Sequence, residues 1–240
     1  YVYLEMAPNN ICNAACQTCH PSNSSTLAKH FGIKNRIKKN DQAILNLLTD
    51  RVVALDISGG DPLYSKLSLE VLNSLPKNLK FLRINTNGSN YFDFTPILEK
   101  DIVCDITLSI DGLGRIFEYA RWPLKFDQVD ANIKRWMELK AKYPSFRIGI
   151  NCVVSALNIQ QLPQIQQYAK NNDIGLYFSH LTNNDELNIR YSNFLTVPAK
   201  DKIPNFEVAV DRDNTDELLA YLQNNDKYRK ISFKDYLKTV

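Results

Sequence analysis

An α/β fold built on parallel strands is what this sequence predicts, and three observations predict it. Apolar, β-rich runs recur six times along the 240 residues, at 1–6, 52–58, 80–85, 104–110, 146–154 and 174–179. Stretches with helical spacing lie between them, and strands alternating with helices imply βαβ units with right-handed crossovers. Several of the runs, VVALDIS and FRIGINCVV among them, are near-continuous in Val, Ile, Leu and Phe, the pattern of strands covered on both faces.

Each helix follows from its own spacing. Ala43, Ile44, Leu47 and Leu48 form an i, i+3, i+4 stripe behind Asn40 and Asp41, which suit a helix start. Leu69 to Leu75 and Thr95 to Glu99 give shorter patterns. Val129, Ile133, Trp136 and Met137 form the next stripe, and Leu162, Ile165 and Ala169 another, with Pro163 near its first turn. Six such units fit a flat doubly wound sheet and an incomplete, curved barrel equally well. Residues 182–240 break the rhythm: LTNNDELNIRYSN is polar and loop-like, and Thr215 to Leu222 reads as one capped helix. The chain therefore divides into a core, 1–181, and a C-terminal extension, 182–240, packed against the sheet.

Composition bounds the function classes. Hydrophobic residues at 44% and charged ones at 23% are the mix of a globular protein, which excludes disordered and fibrous classes. Lys+Arg 29 against Asp+Glu 26 leaves a net charge of +3, which neither demands nor excludes a nucleic-acid or membrane partner. No stretch reaches the ~20 consecutive apolar residues of a bilayer span. The start, YVYLEMAPNN, lacks the basic and apolar regions of a signal peptide, and without an initiating Met it reads as trimmed. Five cysteines, three of them crowded at Cys12, Cys16 and Cys19, do not make a secreted disulfide framework. A cytoplasmic protein with reduced thiols is the expectation.

In parallel α/β sheets ligands collect at the carboxyl ends of the strands. Here those ends carry NNICNAACQTC, SGGDP, NTNG, SIDG and NCVVS, and the last strand ends near His180. Polar and glycine-rich residues thus converge on one rim. Thiolates at CxxxCxxC spacing in one loop can bind three corners of a [4Fe–4S] cube and leave the fourth iron open. A zinc site would want a fourth protein ligand, for which His20 is the nearby candidate. Cys104 and Cys152 sit within apolar strands and read as core. Gly59 and Gly60 let main chain approach a ligand closely, and Asp61 is placed to accept hydrogen bonds from an ammonium group.

In order along the chain, CNAACQTC, ISGGDPL, INTNG and LSIDG resemble the motifs of the radical S-adenosylmethionine (SAM) superfamily. The segment SIDGLGRIFEYARWPLKFDQVDANIKRW further looks like its subgroup with SPASM or twitch extensions. The resemblance spans about residues 1–180. It implies a partial (βα)6 barrel with a short C-terminal extension, a [4Fe–4S] cluster held by Cys12, Cys16 and Cys19, and SAM bound at its open iron. Cleavage of SAM would give a 5′-deoxyadenosyl radical that abstracts hydrogen from a substrate. Gly59, Gly60 and Asp61 align with the turn that holds the SAM amino group. Ser109 and Asp111 fall where the ribose or carboxylate is contacted, with Asn85 and Asn151 in the same shell. Arg121 would pair a carboxylate of SAM or substrate. A small-molecule, nucleotide or peptide substrate, and an electron donor such as flavodoxin or ferredoxin, are the implied partners, with no membrane.

The chain departs from the family pattern twice. Thr18 stands before the third cysteine where an aromatic residue is common, and residues 153–240 contain no cysteine for an auxiliary cluster. One cluster and an extension that shapes the substrate pocket are therefore expected. The alternative is a noncatalytic iron–sulfur or zinc-binding module on a degenerate version of the same fold. His180 is a candidate for substrate contact, His30 reads as exposed, and Tyr168, Tyr177 and Phe178 read as core. The tail DKYRKISFKDYLK reads as a solvated amphipathic end.

Overall fold

The computed structural model describes residues 1–34, 41–181, 185–188 and 215–237. Asn40 and most of the LTNNDELNIRYSN segment lie outside the described residues. Six strands, β1 (Val2–Met6), β2 (Val52–Ile57), β3 (Phe81–Thr86), β4 (Val103–Ser109), β5 (Phe146–Val154) and β6 (Gly175–His180), form one sheet in sequence order. Every neighbouring pair is parallel. That order places each strand beside the next in the chain, as a singly wound barrel wall does and a doubly wound sheet does not.

The helices are α1 (Ser25–His30), α2 (Asp41–Leu45), α3 (Lys66–Asn73), α4 (Thr95–Leu98), α5 (Gly114–Ala120), α6 (Phe126–Lys142), α7 (Leu162–Asn171), α8 (Thr215–Arg229) and α9 (Phe233–Leu237). Three of them show why the chain folds this way. Val129, Ile133 and Trp136 bury one stripe of α6, and Leu162, Ile165 and Ala169 one stripe of α7. Ser65 caps α3 by accepting from the Ser68 amide.

Burial alternates strictly along β3, β4 and most of β5, which corrects the expectation of strands covered on both faces. Leu82, Ile84, Ile106, Leu108, Phe146 and Ile150 belong to the buried core cluster. The alternate residues Arg83, Asn85, Asp105, Thr107, Ser109 and Asn151 are half-buried. The alternation has period two because successive side chains point to opposite faces. Glu5, Asp56, Arg83, Asp105 and Arg147 stand side by side across five strands in lateral register, and Arg83 lies 3.8 Å from Asp56 and 3.5 Å from Asp105. Tyr177 shares a register position with Asn151 and is 69% exposed, so it is not core.

A second cluster joins Tyr119 and Ala120 of α5 to Leu218 and Leu222 of α8 and Phe233 of α9. The described part of the extension thus packs on α5 and at the carboxyl ends of β5 and β6, where Val153, Ala156, Leu157 and Leu181 join the same cluster. The tail is not a solvated end: Asp226 and Arg229 are buried. Among the described residues no helix is long and apolar enough to cross a membrane.

Candidate functional site

The loop after β1 carries the three clustered cysteines, and its backbone is tied from four sides. From the turn after β2, the Asp61 amide donates to the Ile11 carbonyl at 2.8 Å. From the start of α1, Thr26 Oγ1 donates to the Cys12 carbonyl and Ser24 Oγ to the Ala14 carbonyl, each at 2.6 Å. Ser24 also caps α1 through the Leu27 amide. From the end of α5, the carbonyls of Ala120 and Trp122 accept from the Gln17 and Ala15 amides. From α8, Arg229 donates to the Ala15 carbonyl.

The turn after β2 fits closely against this loop. Gly59 and Gly60 have φ of +78° and +59°, and a Cβ on Gly60 would stand 2.3 Å from the Ile11 carbonyl oxygen. Only glycine takes both that conformation and that approach. Asp61 is buried, and its carboxylate accepts from the Leu63 amide, Thr86 Oγ1 and the Asn87 amide at 3.1, 2.9 and 2.7 Å. Burial raises its pKa while those donors pull it back. Asp61 therefore welds the β2 turn to the β3 turn. The β3 turn is held in turn by α6, where Asn132 donates to the Gly88 carbonyl and Gln128 to that of Ser89.

A cavity of about 390 Å³ opens between these turns, within the size range of small-ligand and cofactor sites. Cys12, Cys16 and Cys19 line it together with Gly59, Gly60, Asp61, Asn85, Ser109 and Arg121. Asp111 and Asn151 do not. Asp111 lies fully buried behind the wall. It binds Arg121 Nη2 at 2.8 Å, Thr18 Oγ1 at 2.9 Å and the Val153 amide at 2.9 Å. Asn151 keeps a buried Oδ1 with no hydrogen-bond partner. Arg121 is 7% exposed, lines the cavity, and pairs a carboxylate of its own chain through Nη2. Burial opposes its charge, yet Asp111 and then the Cys16 sulfur raise its pKa.

His180 is exposed at the end of β6 and is not among the cavity-lining residues. His30 is half-buried against Tyr228, with ring centroids 3.8 Å apart, which corrects its reading as exposed. Cys104 and Cys152 are fully buried in the core. Sequence reasoning passed over Asn87, which lines the cavity, and noted Thr18, which lines it too, only as a departure from the family pattern. Asn87 Nδ2 donates to Asn13 Oδ1 at 2.9 Å and lies 4.0 Å from Cys12 Sγ. Its signal was present in the NTNG turn.

The donor set fits an iron–sulfur group. All five cysteines are free. Burial pushes Cys12 and Cys19 up to about 12, with Cys16 adding to the effect, and pushes Cys16 up against the pull of Arg121. Ligation of iron replaces the protons that such burial retains. A cube takes each of three sulfurs on a different iron, whereas structural zinc takes four ligands on one ion.

Residues 9–124 match the family of 4Fe-4S single cluster domains. The GTP 3',8-cyclase of Pasteurella multocida is 25% identical over 193 residues, covering 78% of this chain and 55% of that protein. The Actinobacillus pleuropneumoniae protein of the same name is 24% identical over the same shares. The chain thus spans about half the length of the curated relatives it matches. Among solved structures, anSMEcpe with bound AdoMet aligns with a TM-score of 0.57 at 20% identity, over 96% of this chain and 62% of that one. Streptococcus suis SuiB bound to precursor peptide SuiA gives 0.57 at 16%, over 95% and 46%. The fold is therefore the partial barrel of these proteins. With the cysteine loop and the match over residues 9–124, it makes the chain similar to proteins of the radical S-adenosylmethionine class. The cofactors of that class are one [4Fe–4S] cluster and SAM.

Proposed function

We propose that this chain is the core of a radical SAM enzyme acting by hydrogen abstraction on a polar substrate. The observation that carries the reading is the common cavity. Three thiols of one loop face it together with the Gly59–Gly60 turn, and neither could be there without the close approach that Gly60 permits. When bound, a [4Fe–4S] cluster supplies the electron that splits SAM into methionine and a 5′-deoxyadenosyl radical, which takes a hydrogen atom from the substrate.

The protein's own work is placement. Cys12, Cys16 and Cys19 would hold the cluster, and the Gly59–Gly60 turn offers main-chain groups to the amino acid end of SAM. Asn85 and Ser109, on neighbouring strands, offer uncharged hydrogen-bonding groups further along the same cavity wall. Asn151, in register with Ser109, would extend that shell once a donor satisfies its Oδ1. Asp111 acts from behind the wall by fixing Arg121. Such fixed groups supply orientation, which is where a cofactor enzyme's protein contributes most.

A nucleotide, a peptide or another small polar molecule suits this wall. The curated relatives are named for GTP, and structures of the same fold hold peptides. A low-potential donor such as flavodoxin or ferredoxin would deliver the electron, and five free cysteines suit a reducing, cytoplasmic setting.

Anaerobic reconstitution followed by SAM and dithionite tests the reading. About four irons with labile sulfide per chain and release of 5′-deoxyadenosine are the expected results. A fully loaded protein that yields none above an uncatalysed control would refute it.

A further inference from the structure

Arg121 ends α5 with its guanidinium turned inward, its two terminal nitrogens facing different groups. Nη2 lies 2.8 Å from Asp111 Oδ2, and Nη1 lies 3.6 Å from Cys16 Sγ. We propose that Arg121 is a positioning residue for the metal centre: clamped by Asp111, it donates to the Cys16 sulfur and raises the electron affinity of the iron that this sulfur holds. The proposal rests on the reading of Cys16 as a cluster ligand and adds the device that tunes it.

The clamp fixes the guanidinium rather than merely neutralising it. The Asp111 carboxylate is itself held by the Val153 amide from β5 and by Thr18 Oγ1 from the cysteine loop, each at 2.9 Å. Arg121 is only 7% exposed, so its guanidinium is largely shielded from bulk solvent. A planar guanidinium presents two nitrogens at once, which a lysine ammonium does not reproduce. In a buried site charges are weakly screened. One-electron reduction adds one negative charge to a cluster and its thiolates, so a cation against a ligand sulfur favours the reduced form. Hydrogen bonds to the sulfurs and outer-shell partners are recognised levers on cluster potential. Asp111 works in the opposite sense, and the pair together sets the balance. Thr18, the residue that departs from the family's aromatic position, contributes by withdrawing part of the Asp111 charge.

The test is a dye-mediated redox titration of the anaerobically reconstituted holoprotein, read by electron paramagnetic resonance, with iron and sulfide measured on each sample. Arg121→Gln should lower the potential, so that the ratio of reduced to oxidised cluster falls about tenfold at the wild-type midpoint. Asp111→Asn, nearly isosteric, should raise it. Thr18→Val, at a half-buried position that tolerates the swap, should lower it by a smaller step and keeps the question open to decision if either buried variant fails to fold. Shifts of opposite sign support the proposal, since a loosened loop would move Arg121→Gln and Asp111→Asn alike. Unchanged potentials, or shifts of one sign in both, overturn it. A wild-type protein that takes up no cluster refutes the functional reading instead, and iron analysis separates the two failures.

Discussion

Gly60 shows how much a single missing carbon can decide. A Cβ there would stand 2.3 Å from the Ile11 carbonyl oxygen and 2.7 Å from the Ile11 nitrogen, both main-chain atoms that cannot rotate away. Gly60→Ala should therefore push the cysteine loop off the β2 turn and cut iron uptake severely, measured as iron per chain after reconstitution. Gly114→Ala, with open space around its Cβ and φ of +52°, should leave iron uptake intact and cost only about 1 kcal/mol through its left-handed backbone. Asp61 acts by hydrogen bonds rather than by shape. Asp61→Asn turns one acceptor into a donor facing amide donors, and about 1–3 kcal/mol of stability should be lost for the group left unpaired, read by urea denaturation. Two ion pairs of the chain separate by burial in the same way. Asp111 is fully buried, so Asp111→Ala, which strands a buried guanidinium, should cost about 3–5 kcal/mol. Arg83 has a side chain 42% exposed, and Arg83→Ala should cost less than about 1 kcal/mol.

At the scale of the element, strands were far more legible than short helices. Each strand came within two residues of its expected ends, because six adjacent β-rich residues advertise themselves without help from tertiary structure. What the runs concealed was the open face. Arg83 and Asn85 interrupt KFLRIN at alternate places, and Asp105 and Thr107 interrupt CDITLSI likewise, so the period of two was present beneath the apolar average. The six residues of α1 bury only Leu27 and Ala28, too few to make a stripe. The helix α8 runs to Arg229, seven residues past the expected Leu222. Its buried stripe passes from Leu218 and Leu222 to Asn225, Asp226 and Arg229, and no apolar pattern marks a face whose second half is polar. Two of those polar residues find partners on α5: Tyr119 donates to Asp226 at 2.9 Å, and Arg229 donates to the Tyr119 carbonyl at 3.1 Å. Arg229→Ala should leave the carbonyls of Ala15 and Tyr119 unpaired, at about 1–3 kcal/mol each. Iron should then escape to a chelator several-fold faster than from the wild type, followed by loss of visible absorbance.

Across the whole molecule, the convergence of strand ends on one rim was legible because parallel topology sends every carboxyl end the same way. The cysteines, the Gly59–Gly60 turn, Asn85 and Ser109 meet there as the motifs suggest. The depth of each residue was not legible. Asp111 and Arg121 are ten positions apart, in a turn and at a helix end, and nothing in SIDGLGRIFEYAR states that a salt bridge will join an arginine in the cavity wall to a carboxylate buried behind it. Nor does the sequence show that the extension packs on α5 and the cysteine loop, because Arg229 and Ala15 meet only after the barrel wall has formed.

That last tie spans 214 positions of the chain. On the ribosome, the thiols emerge long before the arginine that steadies their loop. A nascent polypeptide halted before α8 would display the same three sulfurs on a loop lacking one of its four anchors. Iron held by such a fragment would be less secure than iron held once α8 is in place.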